Sequence, residues 1–375
     1  MNQLSKAGAF TLLSVACLTI MVGCVIVPGL NTIALQLGVP QAASWLVTVP
    51  SLGVVIFGPL AGKTIDKMGA HGALRWGLFL YGLLGAGGVF LHGLVPVLLN
   101  RLLLGGATAL VMASGTGLIS GFFQGNARLK MIAQQGMSIE LGGVIFLSIG
   151  GLLATAGWRW PFLLYLLAWL LLIMLMLFVP KPPVTEQGLS DHGAVPAAGS
   201  LKTVWFAAVC SMICFFTGVI VIPQHFHDAG INAAQTGYFL SFISLIAVVA
   251  AFLMPRVISF LTDKKTLCLA FLFYALAHLV FAFAATLPLF VLGGVMMGCG
   301  FGLSVPLVNH MTVEQSAENV RGRNLAWLAM ALFSGQFLSS FMEFIPGDLS
   351  VVFTGAAIFA LVALGCLMMS GKRGE

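Results

Sequence analysis

Twelve runs of about twenty apolar residues, six on either side of one polar stretch, leave this chain very few folds, because a helix needs roughly 20 such residues to cross about 30 Å of hydrocarbon. They fall at 7–37, 42–62, 73–92, 95–123, 131–155 and 160–179, then at 203–224, 235–259, 266–286, 288–309, 322–344 and 350–370. Between the sets lies 180–202, PKPPVTEQGLSDHGAVPAAGSLK, where prolines stiffen the start and Gly, Ala and Ser loosen the end. Such a stretch reads as a solvated connector. The expectation is an all-α membrane protein with twelve transmembrane helices: an N-terminal six-helix bundle over 1–179, a linker over 180–202 and a C-terminal six-helix bundle over 203–375.

Composition agrees. Hydrophobic residues make up 59% and charged residues 7%, against about 25% charged in a soluble domain, so polar surface is too scarce to cover a globule in water. Lys6 and the run after it resemble a signal peptide, but the run outlasts an h-region and no small-residue cleavage site follows, so it is expected to be the first span. All seven cysteines lie inside apolar runs with no metal-binding spacing, which predicts small core residues and no metal or other cofactor. A net charge of +6 carried by scattered bases forms no patch for nucleic acid.

Those bases set the topology instead. Lys6, Lys63, Lys67, Arg75, Arg128, Lys130, Lys181, Lys202, Arg256, Lys264, Lys265, Arg321, Arg323, Lys372 and Arg373 all fall on one side if the spans alternate, leaving Arg159 in an opposite loop and Arg101 inside a span. Positive charge is retained in the cytoplasm, so both termini are expected there, in a multi-pass protein of the inner or plasma membrane.

Three motifs stand out. Gly62-Lys-Thr-Ile-Asp66-Lys67-Met-Gly69 is a turn between the second and third spans, Arg101-Leu-Leu-Leu-Gly105-Gly106 places a guanidinium inside the fourth, and Gly157-Trp-Arg-Trp-Pro-Phe162 makes an interfacial aromatic anchor before the sixth. In that order within a six-plus-six pattern they resemble the major facilitator superfamily along essentially the whole chain, most closely its drug:proton antiporter branch. The resemblance implies a conformational role for Gly62, Asp66, Lys67 and Gly69, proton handling at Arg101, and a cavity lined by helices 1, 2, 4, 5, 7, 8, 10 and 11. The second-half loop around Pro255-Arg256 looks like a decayed copy, with Ser259 where an aspartate is expected. The fifth-helix antiporter signature is incomplete: Gly142, Gly143, Gly150 and Gly151 match its helix-packing glycines, but Phe146-Leu147 replaces its Gly-Pro.

The motifs also have a physical reading. Asp66 can sit at the N-terminus of a neighbouring helix, the eleventh near Arg321, gaining roughly 0.3–1 kcal/mol from the dipole, or it is a solvated loop charge. Glu140 is the one carboxylate deep in a span, about 13 Å from the span's start near Met131; a charge there costs on the order of 2.5–3.5 kcal/mol, so it needs protein, water, a partner or a proton. It reads either as the proton- or substrate-coupling group or as a structural glutamate. Counting in from the span ends leaves it roughly 8 Å in depth from Arg101, close enough for the two to pair. Asn31, Gln134, Gln135, Asn309, Trp327, Gln336 and Glu343 are further cavity candidates. His225 and His227 before Asp228 read as interface residues, not as a metal site, and His278 as structural.

No HExxH, GxSxG or GxxxxGK[ST] occurs, which speaks against an enzyme, with no catalytic residues, and against ATP as the driver, the linker and tails being too short for a nucleotide domain. Glycine-rich spans, two comparable halves and ionisable groups in the membrane fit a secondary transporter. The expectation is a monomeric, proton-coupled exporter of a small organic or amphipathic solute. The alternatives are a proton-coupled importer of the same fold, or a non-transport lipid scramblase or sensor with this fold.

Overall fold

A computed structural model describes residues 4–181, 199–317 and 320–369; most of the expected linker, 182–198, and the basic Lys372 and Arg373 lie outside them. The described residues form twelve α-helices: α1 (Lys6–Cys24), α2 (Leu30–Gln36), α3 (Trp45–Gly87), α4 (Leu94–Phe122), α5 (Gly125–Ala156), α6 (Leu167–Phe178), α7 (Gly199–Asp228), α8 (Ala233–Phe260), α9 (Asp263–Phe283), α10 (Leu287–Glu314), α11 (Arg321–Leu338) and α12 (Leu349–Met369). Eleven helical runs among them are long and apolar enough to cross a membrane, starting and ending within a few residues of the spans read from hydropathy.

Eleven rather than twelve appear because the second and third spans form one run, Trp45–Phe90. Drawn straight, 46 residues would reach about 69 Å, more than twice the hydrocarbon thickness. Gly69, with φ 75° and ψ 157°, is non-helical, a conformation that only glycine adopts without strain. Both limbs return to the same stretch of α4. A Cβ at Gly53 in the first limb would meet the Leu102 carbonyl, while Leu84 in the second limb accepts a 3.1 Å hydrogen bond from Asn100. The run therefore doubles back at Gly69, which divides it into two spans and gives twelve among the described residues.

The first span breaks too. Pro28 has no N–H, so the Cys24 carbonyl loses its usual donor. Ile26 N–H turns to the Gly23 carbonyl at 3.2 Å instead of reaching Val22, and a 3₁₀ turn, Val27–Gly29, leads into α2.

By internal packing the chain divides into two compact units, 1–185 with 226–241, and 186–225 with 242–375. The first is built on close approach of α3 and α4: a Cβ on Gly105 would fall on the Pro50 carbonyl oxygen and 2.8 Å from Gly53 Cα. In the second, a Cβ on Gly302 would fall on the Ala247 carbonyl and 2.7 Å from Ala250 Cβ. Each pair is displaced by the same 197 positions (Gly105 to Gly302, Pro50 to Ala247, Gly53 to Ala250). A second correspondence agrees to within one residue: Tyr81 donates to the Leu18 carbonyl at 2.7 Å, and His278 Nε2 lies 2.8 Å from the Cys214 carbonyl. This register corrects one expectation. Ser259 answers to Gly62, while Asp263 and Lys264 answer to Asp66 and Lys67, so the carboxylate is retained and it is the left-handed glycine that is replaced, by Thr266. Thr266 is accommodated because α8 ends at Phe260 and α9 restarts at Asp263 behind the cap of Thr262.

Candidate functional site

Arg101 is 1% exposed and sits in the first unit without a carboxylate partner among the described residues. Its Nη1 donates to the Tyr165 hydroxyl at 3.0 Å, and its Cζ lies 5.3 Å from the Phe162 ring centroid and 5.7 Å from that of Tyr165. Both aromatics come from one 3₁₀ turn, Trp160–Leu166, where three residues per turn put positions i and i+3 on the same side. Tyr165 donates onward to the Val22 carbonyl at 2.8 Å, the carbonyl released where α1 breaks. Two cation–π contacts at about 1–2 kcal/mol each and one charge-assisted hydrogen bond at about 1.5–3 kcal/mol offset the roughly 2.5–3.5 kcal/mol of placing the charge in a span. Arg101 Nη2 keeps no hydrogen-bond partner.

Glu140 on α5 is half-buried and makes no hydrogen bond or ion pair with any described residue. It lies within electrostatic reach of the Cys24 thiol at the end of α1. The pairing with Arg101 expected from the sequence does not occur. Gln135 Nε2 donates to Thr116 Oγ1 at 3.0 Å, which fixes the register of the antiparallel helices α4 and α5. From that level Glu140 is five residues along and Arg101 fifteen, a difference in depth of about 15 Å at 1.5 Å per residue. The sequence count failed because α4 and α5, at 29 and 32 residues, both overrun the hydrocarbon slab, so depths taken from opposite ends do not add across ~30 Å.

The packing glycines are crowded on both sides of α5. A Cβ at Gly142 would stand 3.1 Å from Cys17 Cβ, one at Gly150 would meet the Val25 carbonyl, and one at Gly151 would lie 2.6 Å from the Ala233 carbonyl. Gly143 is buried. Ser148 and Ser241 add a 2.8 Å hydrogen bond beside Gly151. In the loop motif, Asp66 and Lys67 are exposed, Gly69 makes the reversal, and Gly62 has open space around it.

The cavity candidates divide by what already holds them. Gln135 is buried against Thr116, Asn309 donates to its own helix at Val305 O (2.9 Å), and Glu343 accepts from Gln224 at 3.0 Å. Asn31 and Gln134 are half-buried, Gln336 is buried, and Trp327 is 50% exposed with its ring 6.3 Å from Trp205. Among the described residues no group of three metal-ligating side chains occurs, and the His227–Asp228 pair is exposed at 3.7 Å. Sequence reasoning missed Tyr165 and read Phe162 only as part of an interfacial anchor; the signal for their shared role was aromatic spacing at i and i+3 after a proline.

A multi-pass helical protein with repeated halves, a broken first span and ionisable side chains at membrane depth belongs among membrane transporters rather than enzymes. A family model described as Major Facilitator Superfamily matches residues 11–340. The chain belongs to that superfamily and is a secondary transporter. It is 28% identical over 152 residues to the riboflavin transporter RibZ of Clostridioides difficile (strain 630), a match spanning 39% of this chain and only 32% of that protein. Among solved structures it resembles a D-xylose-proton symporter (TM-score 0.78, 17% identity, 97% of each chain). The xylose transporter XylE from E. coli is similar (TM-score 0.76, 16% identity, 97% of this chain and 99% of that one), as is a POT family transporter in complex with a conjugated peptide (TM-score 0.79, 13% identity, 98% and 97%). At these identities the likeness is one of fold.

Proposed function

We propose that this transporter couples the movement of a small organic or amphipathic solute to protons, with Glu140 as the coupling carboxylate and Arg101 as the brace that fixes the broken first span beside it. The observation that carries the reading is Glu140 itself: a carboxylate at membrane depth, with no protein partner among the described residues, next to the break after Cys24. Such a group is costly unless a proton or substrate takes it, and its alternation between the two would couple them. The proposal includes two six-helix bundles joined by 180–202, both termini in the cytoplasm, a monomer in the inner or plasma membrane, and a polar lining drawn from Asn31, Gln134, Gln336 and Trp327. Asp66 and Lys67 bias the exchange between conformations. Export is the favoured direction, from the antiporter-like glycines of α5.

Import is the second reading, favoured by Phe146-Leu147 in place of the antiporter Gly-Pro. Flux measured in proteoliposomes with an imposed pH gradient, over a panel of solutes, separates the two directions. Glu140→Gln is expected to abolish gradient-driven flux while leaving downhill exchange. Normal gradient-driven flux in that variant would overturn the coupling role.

A further inference from the structure

Outside the transport machinery, a groove of about 400 Å³ opens on the first unit between the second limb of α3 and α6. Met68, Arg75, Trp76, Phe79, Leu172 and Met176 line it. Met68, Trp76, Phe79 and Met176 are exposed, Trp76 at 56% and Met176 at 58%, and Leu172 is half-buried. Its floor is rigid: Phe79 stacks on Trp169 at 6.2 Å and 10°, and Trp169 Nε1 donates to the Phe79 carbonyl at 3.1 Å.

The polar end carries two cations. His71, one turn before Arg75, lies with Nε2 3.0 Å from the carbonyl of Val179, which holds the end of α6, two residues before Lys181, against the limb of α3 that carries Arg75. Arg75 and Lys181 both act electrostatically on that histidine, and both are exposed. Neither makes an ion pair or hydrogen bond with any described residue. Two unpaired cations and an indole sit above an apolar channel, at the membrane end that also carries the basic 62–72 turn. That arrangement matches an anionic headgroup above an acyl chain, and basic pockets between membrane helices bind such headgroups.

We propose that this groove is a binding site for one anionic phospholipid of that leaflet, with its phosphate on Arg75 and Lys181 and an acyl chain along Phe79, Leu172 and Met176. The occupant is a lipid and not the transported solute, because the groove opens to the bilayer and its cations lie at the leaflet surface.

The test uses the full chain in phosphatidylcholine vesicles containing either brominated phosphatidylglycerol or brominated phosphatidylcholine, the emission of Trp76 being the difference between wild type and Trp76→Phe. At equal mole fraction the anionic lipid is expected to quench Trp76 preferentially, by about fivefold in relative affinity for each cation. Arg75→Gln and Lys181→Gln should each remove one such factor, and the double variant should show no preference. Equal quenching by both lipids in the wild type, or an undiminished preference in the double variant, would overturn the site. Displacement by millimolar glycerol phosphate would also overturn it, marking a pocket for a soluble phosphate ester. If Trp76→Phe fails to fold, native mass spectrometry of wild type and Arg75→Gln/Lys181→Gln, counting retained phosphatidylglycerol, decides the same question. None of these readouts involves transport, so they stand apart from the fate of the coupling proposal.

Discussion

Tyr165→Phe isolates the least expected contact in the molecule. The substitution deletes one oxygen and keeps the ring, so packing and the 5.7 Å cation–π contact survive while two hydrogen bonds vanish: 3.0 Å from Arg101 and 2.8 Å to Val22. The guanidinium, whose Nη2 is already unpartnered, then has both terminal nitrogens unsatisfied, and the Val22 carbonyl has no donor because the helix breaks beneath it. A lost charge-assisted bond is worth about 1.5–3 kcal/mol and a stranded buried carbonyl about 1–3 kcal/mol; allowing for relaxation, the expected loss is about 3 kcal/mol. Tyr81→Phe is the matched control. It removes one neutral bond, of 2.7 Å, to Leu18, whose carbonyl keeps its partner within α1, so about 1 kcal/mol is expected. The assay is equilibrium unfolding in mixed micelles. In an Arg101→Leu background, Tyr165→Phe should cost about 1.5 kcal/mol less than in the wild type, the difference being the Arg101–Tyr165 coupling. Equal losses for the two tyrosines, or no coupling in the cycle, would refute the view that Tyr165 holds the buried charge to the broken span. Arg101→Ala should accordingly act on stability and not by stranding a carboxylate.

Other outcomes follow from single positions. Gly69→Ala forces a side chain into positive φ and should lose about 1–2 kcal/mol in the same unfolding assay, whereas Gly62→Ala, with open space around it and helical geometry, should be neutral or slightly stabilising. Asp66→Asn should give a folded protein that transports slowly and shows altered cysteine-labelling of its two faces; unchanged transport and labelling would make Asp66 a solvated loop charge.

Much of the fold was legible because lipid leaves the backbone no partner but its own helix, so a crossing segment announces itself as an apolar run of fixed length. Eleven runs sit within a few residues of their hydropathy limits. The fold-back at Gly69 was less plain, since helical hydrogen bonding persists through the polar turn 62–72 and a single glycine makes the reversal. The brace on Arg101 was hidden for another reason. Trp158, Trp160 and Phe162 look alike in sequence as an interfacial belt, yet Trp160 is 50% exposed while Phe162 is 1% exposed, and only the three-residue period of the turn tells them apart. Depth was misread because residues were counted from span ends rather than from a pair, such as Thr116 and Gln135, that sets helix register.

The 197-residue register also pairs positions of different residue type in the two halves. Arg101 corresponds to Gly298 and Glu140 to Phe337, so neither of these two groups has an ionisable counterpart at the matching position of the second half. Besides His278, whose Nε2 meets the Cys214 carbonyl, the second half buries three hydroxyls, Ser211, Tyr274 and Ser304, at mutual distances of 3.0, 2.7 and 3.2 Å. A hydroxyl triangle can hold a helix packing but carries no charge through a cycle, so under the coupling role proposed for Glu140 proton handling would fall to the first half. Tyr274→Phe tests the division. The 2.7 Å Ser211–Ser304 bond remains, so a cost of about 0.5–1 kcal/mol is expected, with the dependence of flux on the pH gradient unchanged. If Tyr274→Phe flattens that dependence as Glu140→Gln is expected to do, proton handling is shared between the halves and the assignment to Glu140 alone fails.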